Sequence, residues 1–299
     1  VQSKKNMAGT VIGQCCTEHE IRMKPLTYLA ALLLLLSACR PDKQNTNTNQ
    51  SEIPDAATNP KGAYNADTLT FRYDSVKVYS KKPLSDNKEI TDTAKATFVF
   101  PLFADEKLNK LVEQAAIETD NPDDRAYTSY KDLATSFMKT FDDYHAANPG
   151  NDHTWFKEVK IQVLPQAKDY LPLQYAFAEY VGGAHINSAI IYRNYRLSDM
   201  RLLHLQDILE PGQMAELTAV AEKIFRKDEG LTAKGSLEPE YFFEKGIFKL
   251  NDNFYLAKDG IHFLYNAYEI KAFAFGRTEL VIPYEASKGI LKSGFLRVH

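Results

Sequence analysis

Apolar residues along the chain follow two periods, and the switches between them mark out the elements. Leu69, Phe71 and Tyr73, then Val76 and Val78, alternate with polar neighbours as in a strand, and the change of phase near Ser75 reads as a bulge. Residues 94–102 form a second strand candidate with Phe98 and Phe100 on one face. Asp105 is placed to cap a helix running to Thr119, because Leu108, Leu111, Val112, Ala115 and Ala116 follow at three- and four-residue spacing. A second helix over residues 129–147 buries Leu133, Phe137, Met138, Phe141 and Tyr144, and the run Asn148-Pro149-Gly150-Asn151-Asp152 ends it. Three strand-like runs follow, at 155–164, 173–181 and 189–197, joined by residues 165–172 and by Gly182-Gly183-Ala184-His185. They read as an antiparallel meander. A third helix over 212–227 turns Met214, Leu217, Val220, Ala221, Ile224 and Phe225 inward. Residues 254–256 and 261–265 flank Lys258-Asp259-Gly260, a hairpin signal; 279–284 reads as a late strand and 286–291 as a short closing helix.

Helices and antiparallel strands are segregated in this order, not strictly alternating, so the fold class is α+β: antiparallel sheets with separate helices, in two closely associated sub-domains. The expected boundaries are 67–180 for the first sub-domain and 181–299 for the second. No internal repeat of solenoid period is present.

The amino-terminal pattern is different. Met23 to Cys39 reads MKPLTYLAALLLLLSAC: Lys24 gives a positive start and Leu26 to Leu36 an apolar core of 11 residues. A helix crossing a bilayer needs about 20 residues, so this length suits a signal peptide instead. The segment ends in Leu36-Ser37-Ala38-Cys39, which looks like a bacterial lipobox, with Cys39 as the lipidated residue. Residues 23–38 are then the lipoprotein signal, and 1–22 read as an over-extended start ahead of Met23. Residues 39–66 are rich in Asn, Thr, Pro and Asp with little to bury, and read as a flexible tether reaching about 30 Å. The expected location is the cell envelope, lipid-anchored, on the outer membrane or a periplasmic face.

Composition narrows the function classes. The 299 residues are 44% hydrophobic and 25% charged, which suits a globular chain and excludes a disordered or polytopic one. Net charge is −3; removing 1–38 takes away Lys4, Lys5, Arg22, Lys24, Glu18 and Glu20 and moves it to −5. Nothing therefore argues for nucleic-acid binding, and attachment to a membrane would rest on the acyl chains of Cys39. Cys15 and Cys16 lie ahead of Met23, so processing leaves Cys39 alone and removes thiol nucleophiles and Cys-based zinc sites.

The chemistry-bearing patterns are sparse. His145, His153, His185, His204, His262 and His299 show no H-x-x-H, H-x-x-x-H or HExxH spacing, so no metal is expected. There is no G-x-S-x-G elbow, no P-loop and no G-x-G-x-x-G, so no cofactor is expected either. One stretch stands out: Tyr180, Gly182, Gly183, His185 and Asn187, where two glycines at a strand end permit positive φ and His185 projects beyond them. It reads as a candidate ligand contact, against the plainer alternative of a tight turn.

The block Tyr180-Val181-Gly182-Gly183-Ala184-His185 before a Tyr-rich strand, and then Leu203-His204-Leu205-Gln206-Asp207-Ile208-Leu209, resembles the DUF3298 family. So do Asn253-Phe254-Tyr255-Leu256, Asp259-Gly260-Ile261, Tyr265-Asn266-Ala267-Tyr268-Glu269-Ile270 and Leu280-Val281-Ile282-Pro283-Tyr284. Residues 67–180 look like its usual companion, the deacetylase-associated DUF4163 domain. The resemblance implies an envelope-facing binding domain related to the extracellular part of the lysozyme-sensing anti-sigma-V factor and to the region ahead of the catalytic domain in a peptidoglycan deacetylase. It implies no catalytic residue here. The expected partner is peptidoglycan or a lysozyme-like protein, bound without catalysis. The alternative is a cell-wall glycan hydrolase or other envelope enzyme using His185 with a carboxylate.

Overall fold

The computed structural model describes residues 68–81, 93–118, 125–150 and 153–295. The expected signal peptide, Cys39 and the tether lie outside the described residues, as does the start ahead of Met23. Nine strands and four helices make a mixed α+β fold: β1 (Phe71–Tyr79), β2 (Lys95–Phe103), α1 (Glu106–Ile117), α2 (Tyr130–Ala147), β3 (Phe156–Val163), β4 (Tyr170–Tyr180), β5 (Asn187–Arg196), β6 (Arg201–Leu203), α3 (Leu205–Ile208), α4 (Met214–Asp228), β7 (Phe254–Leu256), β8 (Gly260–Tyr265) and β9 (Thr278–Pro283) among the described residues. The first six strands form one sheet in chain order, and β7–β8–β9 a second. Every pairing is antiparallel except β2 with β3, where α1 and α2 occupy the crossover.

The helices start where the sequence offers caps. Asp105 accepts from the Lys107 and Leu108 amides, and Ser129 from that of Asp132. α1 and α2 cover one face of the larger sheet. Leu108, Val112, Phe137 and Phe141 pack there with Phe98, Ile161, Leu173, Tyr175 and Tyr195, all buried. Full burial of such a side chain contributes about 1.5–3 kcal/mol. α4 covers the smaller sheet, bringing Leu217, Ala221 and Phe225 into a core with Leu256, Phe263, Leu280 and Ile282.

β4 and β5 belong to both cores. Their odd-numbered side chains, Leu171, Leu173, Tyr175 and Tyr195, face the helices, while Tyr170 and Asn194 face the other way toward β7. The expected division at 180/181 falls in the turn between these two strands, which pair from Tyr170↔Arg196 to Glu179↔Asn187.

Four expectations change. The β1–β2 register is unbroken from Phe71↔Phe103 to Tyr79↔Lys95, so there is no bulge at Ser75. The change of phase is a change of face, with Phe71 and Tyr73 on one side and Val76 and Val78 on the other. Tyr144 is not buried: it is 40% exposed at the end of α2, with its ring against Trp155 at 5.1 Å. β4 begins at Tyr170 and takes in Pro172, which the sequence pattern assigns to a connection. Residues 286–291 form turns instead of a helix, because Glu210 N–H donates to Ile290 O and Lys292 N–H to Ile208 O, and Leu291 bridges Leu209. That backbone is tied to α3 and its exit, and Gly289 sits at φ +80°.

Candidate functional site

Gly182 (φ +95°) and Gly183 (φ +117°) make the β4–β5 turn in a region that L side chains rarely adopt. Nothing lies within 4 Å of where a Cβ would sit on either, so the need is conformational and not one of close approach. Tyr180 Oη donates to Gly183 O at 3.2 Å and closes the turn from within. Of the sequence-predicted residues, Tyr180, Gly182 and Gly183 therefore shape the loop. Asn187 is exposed opposite Glu179 and is not hydrogen-bonded to His185.

His185 leaves this turn toward the segment between β8 and β9. Its ring stacks on Phe273 with centroids 4.2 Å apart, and its Nε2 lies 3.2 Å from Tyr268 Oη. Tyr268 and Phe273 are themselves 5.3 Å apart, so three rings meet at the surface. Tyr268 is 56% exposed, and Phe275 beside them is 69% exposed. Tyr268 holds φ +68°, uncommon for a bulky residue. Its neighbours fix it: the Glu269 carboxylate accepts from the Asn266 amide at 2.8 Å and from Asn251 Nδ2 at 2.7 Å.

Two asparagines bring the β8–β9 segment to the turn. Asn266 Oδ1 accepts from Ile190 N–H at 2.8 Å, and Asn253 Oδ1 from Tyr192 N–H at 2.7 Å. Both amide groups return a bond to Ile190 O at 2.9 Å. The otherwise open edge of β5 is thus satisfied by side chains. Further along, Arg277 Nη2 donates to Ser188 Oγ at 3.1 Å. The Arg277 Nε is buried without a partner, and burial pushes the guanidinium pKa below its usual value. A buried donor left unpaired costs on the order of 1–3 kcal/mol.

The other histidine in the family-like blocks has a structural task. His204 Nδ1 lies 2.6 Å from Asp252 Oδ2, whose other oxygen accepts from Leu205 N–H at 2.7 Å, and Asp207 accepts from the His204 amide at 2.9 Å. These bonds hold the start of α3. No carboxylate hydrogen-bonds His185 among the described residues, and no group of three His, Cys, Asp or Glu there could hold a metal. No helix of the described residues is long and apolar enough to cross a membrane.

Residues 206–285 match the family described as Protein of unknown function (DUF3298). The chain carries a DUF3298 domain. Among solved structures, it is similar to a DUF3298 family member from Bacteroides fragilis, with 25% identity and a TM-score of 0.58 over 78% of this chain and 99% of that one. A DUF3298 family protein from Pseudomonas aeruginosa shares the fold at 21% identity, with a TM-score of 0.60 over 77% of this chain and 97% of that one. No curated protein matches the chain. The DUF3298 match contains Asn253, Asn266, Tyr268, Phe273 and Arg277, whereas His185 and Ser188 precede it. The ring cluster is therefore built across the start of the DUF3298 domain. The sequence singles out His185 but not Tyr268 and Phe273, whose rings the structure brings against it, nor Arg277 on the same connection. The usable signal was Phe273-Ala274-Phe275-Gly276, two aromatics in a polar, glycine-ended loop.

Proposed function

We propose that this chain is a lipid-anchored binding module of the bacterial cell envelope, and that His185, Tyr268 and Phe273 contact its ligand, a peptidoglycan glycan. The observation that carries this reading is the ring cluster itself. Three aromatic side chains from two elements meet outside both cores, one of them on a residue of unfavourable φ. Exposed rings of this kind offer a flat apolar surface with polar edges, which suits the C–H face and hydroxyls of a sugar. Anchorage through Cys39 and the tether of 39–66 would hold the domain beside the membrane, within reach of the wall. The likeness of 67–180 to a DUF4163 domain and the relation to the lysozyme-sensing anti-sigma-V factor point to the same compartment. His185 has aromatic neighbours where a hydrolase would place a carboxylate, so binding is favoured over catalysis.

The test is calorimetric titration of the chain with a soluble peptidoglycan fragment and, separately, with lysozyme. The fragment should bind, and Tyr268→Ala and Phe273→Ala should each weaken it about three- to tenfold, the effect of losing one ring contact. The melting temperature should stay within about a degree for Tyr268→Ala, since that ring is not in a core. Binding of lysozyme without the fragment would replace the glycan with a protein ligand, and binding of neither would remove the reading.

A further inference from the structure

We infer that Arg277 is an anion subsite beside the ring cluster, so that the saccharide recognised there carries a carboxylate; this rests on the ring cluster being the ligand contact. Arg277 is a half-buried cation whose charge is not balanced. Its one hydrogen bond is to a neutral hydroxyl, Ser188 Oγ at 3.1 Å, and its Nε is buried with no partner. Among the described residues no carboxylate pairs with it, and Glu279, two residues on, forms no ion pair with it. Other enclosed cations of the chain are treated differently. Arg226 bonds Glu222 and the carbonyls of Thr232 and Gly235, and Lys271 pairs with both oxygens of Glu229. Those cations fasten one segment to another. Arg277 fastens little that a neutral donor could not.

Partial burial has removed water from this guanidinium without supplying an anion. Its Nη1 has no protein partner and, unlike Nε, is not enclosed. A carboxylate arriving at Nη1 would form a charge-assisted hydrogen bond with a group already partly desolvated and already held by Ser188, so little further ordering is needed. The placement matches the ring cluster from both sides. Ser188 lies three residues beyond His185, at most about 11 Å along the chain. Arg277 lies four residues beyond Phe273, on the same connection into β9. A sugar stacked on the rings thus has a cation at its flank. In a peptidoglycan glycan the carboxylate could belong to the lactyl ether of muramic acid or to the stem peptide, and the chemistry at Arg277 is the same.

Calorimetry of the full chain decides the matter with three probes. They are the N-acetylglucosamine–N-acetylmuramic acid disaccharide with its free lactyl carboxylate, the methyl ester of that disaccharide, and its dipeptide form, whose lactyl group is amidated and whose carboxylates lie on the peptide. The free acid or the dipeptide should bind at least about tenfold more tightly than the ester, the ratio that one charge-assisted bond supplies. Which of the two does so identifies the source of the carboxylate. Arg277→Gln should bring that ratio to about one, whereas Phe273→Ala should weaken all three alike and leave the ratio in place. Equal binding of acid, dipeptide and ester by the natural chain, or a preference that survives Arg277→Gln, overturns the subsite while the ring cluster stands. Failure of all three to bind overturns the ring cluster and the subsite together. Should Arg277→Gln not fold, the acid-to-ester ratio of the natural chain still decides, and Arg277→Lys, which keeps charge without the planar fork, should retain part of it.

Discussion

The hydroxyl of Tyr170 joins three elements. It donates to Asn194 Oδ1 at 2.5 Å and accepts from Leu256 N–H at 2.8 Å, while Asn194 Nδ2 donates to Phe254 O at 2.8 Å. Strands β4 and β5 are thereby bonded to β7 through buried side chains, and burial pushes the Tyr170 phenol far above its usual pKa. Tyr170→Phe keeps the ring and removes the bonds, leaving the Leu256 amide and the Asn194 carbonyl oxygen buried and unpaired. The expected loss is about 1–3 kcal/mol in urea unfolding, with little change in slope. Asn194→Ala added to it should cost less than its own single effect, because the two side chains act as one network. None of this could be read from the sequence. Tyr170 lies in the run 165–172 that the pattern assigns to a connection, and its partners lie 24 and 86 positions away. Asn253 and Asn266 were equally hidden: their blocks looked distinctive, and the reason is the edge of β5, far away in the chain. His185 could be found because two adjacent glycines at a strand end have a local meaning, whereas its ring partners come from a segment more than 80 residues on.

At the scale of elements the sequence was readable wherever an element was long enough to show its period. α1, α2 and α4 each bury most of the expected stripe, Tyr144 being the exception, and β3–β4–β5 pair as the expected antiparallel meander. β6 and α3, at three and four residues, are too short for any period to register, and they form because β5 and Asp252 fix their backbones. The 286–291 segment shows the converse: a helix-compatible stretch is drawn into bonds with residues 208–210, a tertiary demand that outweighs local preference. The hairpin at Lys258-Asp259-Gly260 was read from its turn residues, but the glycine has a second role. A Cβ on Gly260 would lie 2.2 Å from Ile282 O on β9. Gly260→Ala should therefore force β8 and β9 apart and cost about 1–3 kcal/mol, the usual penalty for overpacking. Gly183→Ala should instead act through backbone strain alone, since open space surrounds that site. Thermal unfolding of the two variants compares them, and an unchanged melting temperature for Gly260→Ala would contradict the close approach.

For the described part of the molecule, the division into two cores raises the question of whether it unfolds in one step or two. Trp155, the single tryptophan, sits in the helix-covered core against Phe141 and Phe137, so its fluorescence reports that core. The second core lies between α4 and β7–β9. The cores are linked by strands and not by a hinge: Tyr175 and Tyr195 enter one while Tyr170, on the same two-strand ribbon, enters the other. The β5 edge is also completed by Asn253 and Asn266, so opening the smaller sheet would strip Ile190 and Tyr192 of these partners and break the bonds of Tyr170 to the Leu256 amide and of Asn194 to Phe254 O. Several buried hydrogen bonds lost together make partial unfolding costly, which argues for a single cooperative unit. Native-state hydrogen exchange should therefore give the β8 amides of Phe263 and Leu264 the same opening free energy as the β4 amides, and both should match the stability from Trp155 fluorescence in urea. If β8 opened at clearly lower free energy while the fluorescence transition held, the smaller sheet would be an independently unfolding part. The ring cluster would then depend on a docking equilibrium, because Tyr268 and Phe273 travel with β8 and β9 whereas His185 stays with β4 and β5. With one cooperative unit, the three rings are held in register whenever the chain is folded, and the proposed ligand would meet a surface that is already assembled.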